Sequence, residues 1–136
     1  MSLVKDLPLV ILPDRLAICR LPADVAQPEW ARPGDLLAFI QSRFELTVVC
    51  SERFVPPEVV AERGWRAFRV QGPLDFSLTG VLASIAAPLA EAALSIFAIS
   101  TYETDYILVR DEALGRAVQA LTQVGFLVLD HDHLLA

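Results

Sequence analysis

Apolar residues recur at three- and four-residue steps through the middle of the chain and predict a helix. This spacing puts them on one face, which needs a sheet to cover it. Asp75 or Ser77 can cap the start of the helix by accepting a hydrogen bond from a first-turn N–H. Gly80 then lies inside the first turn, where the missing side chain lets a ligand or another backbone come close. The apolar face consists of Leu78, Val81, Leu82, Ile85, Leu89 and Ala92.

Runs of β-branched and aromatic residues on both sides of this helix predict strands. Trp65–Gln71 precedes the helix and has two unlike faces. Ile96–Ser100 and Tyr106–Val109 follow it, and the polar residues 101–105 separate them. The pattern therefore predicts a helix followed by two antiparallel strands joined by a tight turn.

A second amphipathic helix is predicted after these strands. Asp111 or Glu112 can start it, Gly125 ends it, and Phe126–Leu129 is the last strand. From Trp65 onward the order is strand, helix, strand, strand, helix, strand, which predicts an α+β fold with two helices behind an antiparallel sheet. The apolar stripe of the second helix is Leu114, Ala117, Val118 and Leu121.

The first half of the chain is predicted to be rich in strands. Leu9–Leu12 and Leu16–Leu21 form a tight hairpin in this interpretation, with its turn at residues 13–15. Leu46–Cys50 is a further strand.

Two segments of the first half need separate treatment. The run that starts at Asp35 fits a strand to Ser42 or a short helix to Phe44, because its apolar residues satisfy both periods. After two consecutive prolines, Glu58–Arg63 has room for a helical turn or two, and we place a domain boundary there. We therefore expect two units, residues 1–62 and 63–136.

Two motifs taken together resemble the ACT domain family. One is Asp-Phe-Ser-Leu-Thr-Gly at residues 75–80, and the other is Ile-Ser-Thr-Tyr-Glu-Thr-Asp-Tyr-Ile-Leu-Val at residues 99–109. Within the family, the chain is similar to the branch that includes the cytosolic arginine sensor of animal cells and its bacterial relatives. The resemblance implies a tandem, regulatory, amino-acid-binding protein. Its ferredoxin-like βαββαβ module would follow an abbreviated, strand-rich ACT-like unit, and the likeness favours a strand after Asp35.

The resemblance also implies where a ligand binds. In the relatives, the ligand lies at an interface between ACT units, between the loop that opens the first helix and the turn between the middle strands, so a homodimer is expected. The arginine-binding motif carries an acid at the position of Leu78, so both arginine and a neutral or differently held amino acid stay open. The candidate ligand-binding residues are Asp75, Phe76, Ser77, Leu78, Thr79, Gly80, Ser100, Thr101, Tyr102 and Asp105.

The residues themselves support recognition through two physical features. Free N–H groups and the positive dipole end at the start of the central helix favour a carboxylate. In the turn, Glu103 and Asp105 can pair with an ammonium or a guanidinium group. The alternative is a helix capped by its own Asp75 or Ser77 and a hydrated turn, with nothing bound.

Composition excludes several classes of function. Apolar residues make up 54% of the chain and charged residues 21%, so it buries a core. A net charge of −6 with a single lysine argues against a nucleic-acid partner. Residues 78–99 are apolar enough to suggest a membrane span, but Pro88 and the following strand favour a buried helix. Cys19 and Cys50, far apart and in apolar runs, indicate a reducing cytoplasm rather than a disulfide framework.

The sequence carries no motif of a known catalytic class, such as GxSxG, HExxH, a phosphate-binding loop or a dinucleotide fingerprint. His131 and His133 alternate with aspartates near the C-terminus, but no third metal ligand is evident, so we expect no metal and no cofactor. The preferred hypothesis is an amino-acid sensor. The alternatives are a structural or protein-interaction module with no ligand and, well behind, a small enzyme that uses Asp105 or a histidine as a base.

Overall fold

The structure is a computed structural model that describes residues 6–75 and 78–130. The described residues divide into two compact units. The major unit contains the residues up to Leu12 and those from Arg66 onward, and the minor unit contains Pro13–Trp65. The elements are β1 (Leu9–Ile11), β2 (Leu16–Leu21), β3 (Ala38–Gln41), β4 (Leu46–Ser51), β5 (Ala61–Val70), α1 (Val81–Glu91), β6 (Ile96–Ser100), β7 (Asp105–Arg110), α2 (Leu114–Gln123) and β8 (Val128–Leu129).

The major unit has the α+β architecture that the sequence predicts. Its strands follow the order β6, β7, β5, β1, β8, with β1 antiparallel to β5 and parallel to β8. The buried residues of α1 and α2 pack against this sheet in one core, which contains Val81, Ile85 and Leu89 of α1 and Ala117 and Leu121 of α2. From β5 to β8 the element order is βαββαβ, which confirms the predicted ferredoxin-like arrangement.

The minor unit consists of strands and loops. Strands β3, β4 and β2 pair antiparallel in that order, and residues 61–65 of β5 pair with β2. The strand alternative for the run after Asp35 is therefore confirmed. One core cluster contains both cysteines, which are buried free thiols. The hydrogen bond to Cys50, and secondly burial, raise the pKa of the Cys19 thiol.

The carboxylate of Asp14 connects loops of the minor unit through hydrogen bonds. Asp14 accepts hydrogen bonds from the hydroxyl of Ser51, from the backbone N–H of Asp35 at 3.0 Å and from the guanidinium of Arg53 at 2.8 Å. Burial by itself would raise the pKa of the Asp14 carboxyl, but these hydrogen bonds outweigh it and lower the pKa. The carboxylate form of Asp14 therefore stabilises the folded minor unit.

Three sequence-based predictions about local structure are wrong. The hairpin of Leu9–Leu12 with Leu16–Leu21 does not form, because β1 pairs with β5 and β8 while β2 pairs with β4 and β5. The helical turn expected at Glu58–Arg63 gives way to β5, which already begins at Ala61. Helix α1 starts at Val81, not directly after Asp75, and Gly80 stands before it with a φ of 81° rather than inside its first turn.

The other predicted elements form, although α2 starts at Leu114 rather than at Asp111 or Glu112 and β8 contains only Val128 and Leu129. β6 has the predicted bounds, β7 is one residue longer at each end, and Gly125 follows α2 with a φ of 103°. Leu114 and Val118 of the predicted stripe pack against the core that contains Ala117 and Leu121. The expected division at residue 62 into two ACT-like units stays a prediction, and the described residues up to Leu12 group with the major unit.

Candidate functional site

A cavity of about 260 Å³ in the major unit joins the two segments that the sequence singles out. The lining residues between positions 74 and 82 are called the helix wall. Residues 100–105 are called the turn wall. The helix wall contributes Leu74, Asp75, Leu78, Gly80, Val81 and Leu82, and the turn wall contributes Ser100, Thr101, Tyr102, Glu103, Thr104 and Asp105.

The helix wall is built around the start of α1. The N–H of Leu78 donates to the carbonyl of Asp75 at 3.0 Å, and the N–H of Ser84 donates to the carbonyl of Gly80 at 2.9 Å. Gly80 adopts the left-handed conformation and provides no side-chain cap. The first N–H groups of an α-helix lack partners within the helix and carry its positive partial charge. This end of α1 therefore offers backbone donors at the cavity.

The turn wall is held by hydrogen bonds across the bend. The N–H of Thr101 donates to the carbonyl of Thr104 at 2.8 Å, and the hydroxyl of Thr101 donates to the same carbonyl at 3.1 Å. At the ends of the turn, the hydroxyl of Ser100 donates to the carboxylate of Asp105 at 2.6 Å. The turn is therefore held by its own hydrogen bonds, and a preorganised turn reduces the entropy cost of binding.

Two further hydrogen bonds hold the turn wall in place, one from the helix wall and one to the end of β5. The N–H of Leu74 donates to the carbonyl of Glu103 at 2.7 Å, and the buried hydroxyl of Thr104 donates to the carbonyl of Val70 at 2.7 Å. Gly72 makes this approach feasible, because a Cβ there would lie 3.0 Å from the nitrogen of Leu74 and 3.2 Å from the carbonyl oxygen of Glu103. The cavity is therefore a consequence of how β5 leads into the helix wall.

The two walls differ in chemistry. Every lining residue of the helix wall except Asp75 is apolar or glycine, whereas the turn wall carries hydroxyls and two carboxylates. Behind the turn, the guanidinium of Arg69 lies 3.9 Å from the carboxylate of Glu103, and its Nε donates to the hydroxyl of Tyr106 at 3.1 Å. The cavity thus combines an apolar surface with a polar, negatively charged one.

The structure places most of the sequence-predicted residues at this cavity. Those that line it are Asp75, Leu78, Gly80, Ser100, Thr101, Tyr102 and Asp105. Thr79 lies on the same loop but is not a lining residue, and Phe76 and Ser77 lie outside the described residues. A ligand-binding role for all of them stays a prediction.

Five lining residues lie outside the predicted ligand-binding set, although the carboxylate of Glu103 was considered as a partner for a cation: Leu74, Val81, Leu82, Glu103 and Thr104. Val81 and Leu82 belong to the predicted apolar face, so we expected them to face the sheet, but only Val81 is buried. The sequence does carry a signal for Thr104, since a small hydroxyl inside a tight turn commonly bonds to nearby backbone. Nothing in the pattern marks Leu74.

Two other kinds of feature, a metal-ligand cluster and a membrane-spanning helix, are absent from the residues that the structure describes. In residues 6–75 and 78–130, no three His, Cys, Asp or Glu side chains come together as metal ligands would. The described helices include none with the length and apolar character needed to cross a membrane. The histidines of the suggested metal pair, His131 and His133, lie outside the described residues.

Comparison with known proteins supplies three informative similarities. The crystal structure of protein Atu0741 from Agobacterium tumefaciens has 33% sequence identity and a TM-score of 0.87, covering 96% of this chain and 97% of that one. The human cytosolic arginine sensor for mTORC1 subunit 1 is 41% identical over 58 residues, which are 42% of this chain and 18% of the sensor. The ligand-free regulatory subunit of aspartate kinase from Thermus thermophilus has 13% identity and a TM-score of 0.56, covering 83% of this chain and 95% of that one.

These similarities differ in what they show. The aspartate kinase subunit shares the fold alone, since its identity is low. The chain spans less than a fifth of the arginine sensors that it matches. The family model of the ACT domain matches residues 60–123, which include α1, the turn wall and the whole described cavity. Together with the βαββαβ order, this match shows that residues 60–123 belong to an ACT domain.

Proposed function

We propose that the protein is a regulatory sensor that binds a free amino acid in the cavity between the helix wall and the turn wall. The observation that carries the proposal is the convergence of these two segments on one cavity of about 260 Å³. Pockets for drug-sized ligands measure roughly 300–1,000 Å³. A cavity slightly smaller than that range suits a single amino acid.

The cavity offers a partner for each charged group of an amino acid. The N–H groups at the start of α1 favour the α-carboxylate, because they carry partial positive charge. The carboxylates of Glu103 and Asp105 favour the α-ammonium. The hydroxyls of Ser100 and Thr101 add polar atoms at the same wall. An α-amino acid carries both of these groups, a carboxylate and an ammonium, on one small molecule.

The relatives agree with this class of ligand. The human protein that shares 41% identity over 58 residues is named as a sensor of arginine. As part of the proposal, the chain acts as a homodimer, the ligand is held where ACT units of two copies meet, and its binding shifts an assembly equilibrium. The proposal includes no catalytic step and no cofactor. The two buried free cysteines of the protein fit a reducing cytoplasm.

A thermal-shift screen against the twenty amino acids tests the proposal. A ligand at a hundred times its Kd raises the free energy of unfolding by about 2.7 kcal/mol. We expect one amino acid, or a chemically related group, to raise the Tm. No shift with any amino acid, for a well-folded sample, would contradict the proposal.

A pair of variants then assigns the response to the cavity. Asp105→Ala removes a carboxylate of the turn wall, and we expect it to reduce the ligand-dependent shift. Asp24→Ala removes an exposed carboxylate of the minor unit and should leave the shift unchanged. An equal response of both variants would remove Asp105 from the site.

A protein-interaction module is the second candidate function. In the minor unit, Phe44 is 76% exposed and Ile40 is 49% exposed, and both lie on or beside β3, the outer strand of its sheet. Exposed apolar side chains on an outer strand suit pairing with another chain. Self-association that is unaffected by amino acids and lost on Phe44→Ser would favour this function.

A further inference from the structure

We propose that the cavity selects an amino acid whose side chain is uncharged and apolar, such as leucine, isoleucine or methionine. This inference rests on the proposed function, since it specifies the ligand of the same cavity. It follows from the distribution of apolar, charged and backbone groups over the two walls.

The helix wall presents an apolar surface to the cavity. Leu78 and Leu82 line the cavity and are 37% and 36% exposed, although both are large and apolar. Leu74 and Val81 extend the same surface. An apolar ligand side chain would cover these groups, and each methylene that it buries strengthens binding about fourfold.

A cationic ligand side chain finds no partner on the apolar part of the helix wall. Between Leu78 and Leu82, no lining residue carries a charge, so a guanidinium or ammonium held there would lose water without gaining a partner. On the turn wall, the carboxylate of Asp105 already accepts the hydroxyl of Ser100, and the carboxylate of Glu103 faces Arg69. These two carboxylates of the turn wall have capacity for one α-ammonium, and apart from Asp75 the surface that remains for the side chain is apolar.

An acidic ligand side chain is repelled by the carboxylates of the cavity. Three carboxylates line the cavity, those of Asp75, Glu103 and Asp105. A second carboxylate on the ligand would be repelled by them, and only the start of α1 favours a negative group. Aspartate and glutamate are therefore disfavoured by charge, and asparagine and glutamine by the apolar wall.

Calorimetric titration with matched ligand pairs tests the inference, because the α-groups are common to every ligand. Leucine and asparagine have similar shapes, and methionine and lysine have similar lengths. We expect leucine or methionine to bind at least tenfold more tightly than its polar partner. Tighter binding of lysine or arginine would overturn the inference and leave the proposed function standing, whereas no binding of any amino acid would remove both.

Variants of the helix wall provide a second test. We expect Leu82→Ala to weaken binding of the preferred apolar ligand by about tenfold or more, since three carbons of contact are lost. Leu82→Glu should weaken it further and raise the relative affinity for lysine. The matched controls are Leu127→Ala and Leu127→Glu, since Leu127 is an exposed leucine of the major unit away from the cavity.

The control variants should bind as the unchanged protein does. Equal effects at Leu82 and Leu127, or an unchanged preference between leucine and lysine in Leu82→Glu, would overturn the assignment of this wall to the ligand side chain. Both sites are exposed enough to accept a polar residue, and urea unfolding of each variant confirms that it is folded.

Discussion

Gly80 and Gly115 both have room for an added methyl group. The two glycines differ in backbone conformation. At either position, a Cβ would have nothing within 4 Å. Gly80 precedes α1 with a φ of 81°, whereas Gly115 is the second residue of α2. Replacing each by alanine therefore isolates the effect of backbone conformation from that of packing.

We expect the two alanine variants to change stability in opposite directions. An L-residue in the left-handed conformation costs roughly 1–2 kcal/mol, so Gly80→Ala should destabilise the protein by about that amount. Glycine inside a helix is less stable than alanine by roughly 0.5–1 kcal/mol, so Gly115→Ala should stabilise it. The expected difference between the variants is therefore about 2 kcal/mol.

Urea unfolding followed by circular dichroism measures this difference. With a slope of about 2 kcal/mol per M, the two midpoints should lie about 1 M apart. Gly80→Ala should also weaken amino-acid binding, because relief of the strain would move the start of α1 at the cavity. Shifts of the same sign in both variants would refute the reasoning, since they would show that the added methyl group acts through something other than φ.

Three further predictions concern groups that are buried or partly buried. Thr104→Val removes the hydroxyl that donates to the end of β5 and should cost about 1–3 kcal/mol, whereas the same change at the exposed Thr122 should stay within about 0.5 kcal/mol; urea unfolding of both variants measures this. The pKa of Asp14 is lowered in the folded state, so its stabilisation is present above the ordinary value of 3.8 and is lost as pH falls through the folded pKa. Asp14→Asn should therefore be less stable than the unchanged protein at about pH 7, with the difference shrinking at about pH 2.5, and a difference that does not depend on pH would contradict this. Cys19 and Cys50 are buried, so a thiol reagent should modify them only as fast as the minor unit opens, and immediate labelling of the native protein would show that this core is not closed.

The sequence predicted local structure well where neighbouring residues determine it. The β6–β7 hairpin follows from two β-branched runs around a polar turn, and α2 follows from its apolar stripe and Gly125. Both are short-range structures, in which the pattern and the turn residues act together.

Predictions failed where distant residues decide. Leu9–Leu12 and Leu16–Leu21 look like a hairpin, but their partners come from far along the chain, and periodicity carries no information about partners. The helical pattern continues back to Leu78, yet α1 begins only after Gly80, whose positive φ interrupts it. Pattern alone does not report φ.

The candidate site was predictable in position but not in detail. Capping logic and the polar turn located both walls, since those are local features. The contribution of Leu74 and Leu82 depends on how β5 leads into the helix wall and on which side of α1 the sheet leaves uncovered. Those are tertiary properties, and no spacing along the chain encodes them.

The position of β1 between β5 and β8 has a consequence for the order of folding. Ile11 of β1 pairs with Phe68 of β5, which lies 57 positions further along the chain, while β6 and β7 meet across a tight turn. Closing a loop of that length costs roughly 3–4 kcal/mol of chain entropy, so β6 and β7 should associate early and β1 late. In the described part of the chain, β8 pairs with β1, which lies outside the residues that match the ACT domain. A fragment cut at residue 60 would therefore lack the strand that lies between β5 and β8, and we expect the late step of folding to be the pairing of β1 with these two strands.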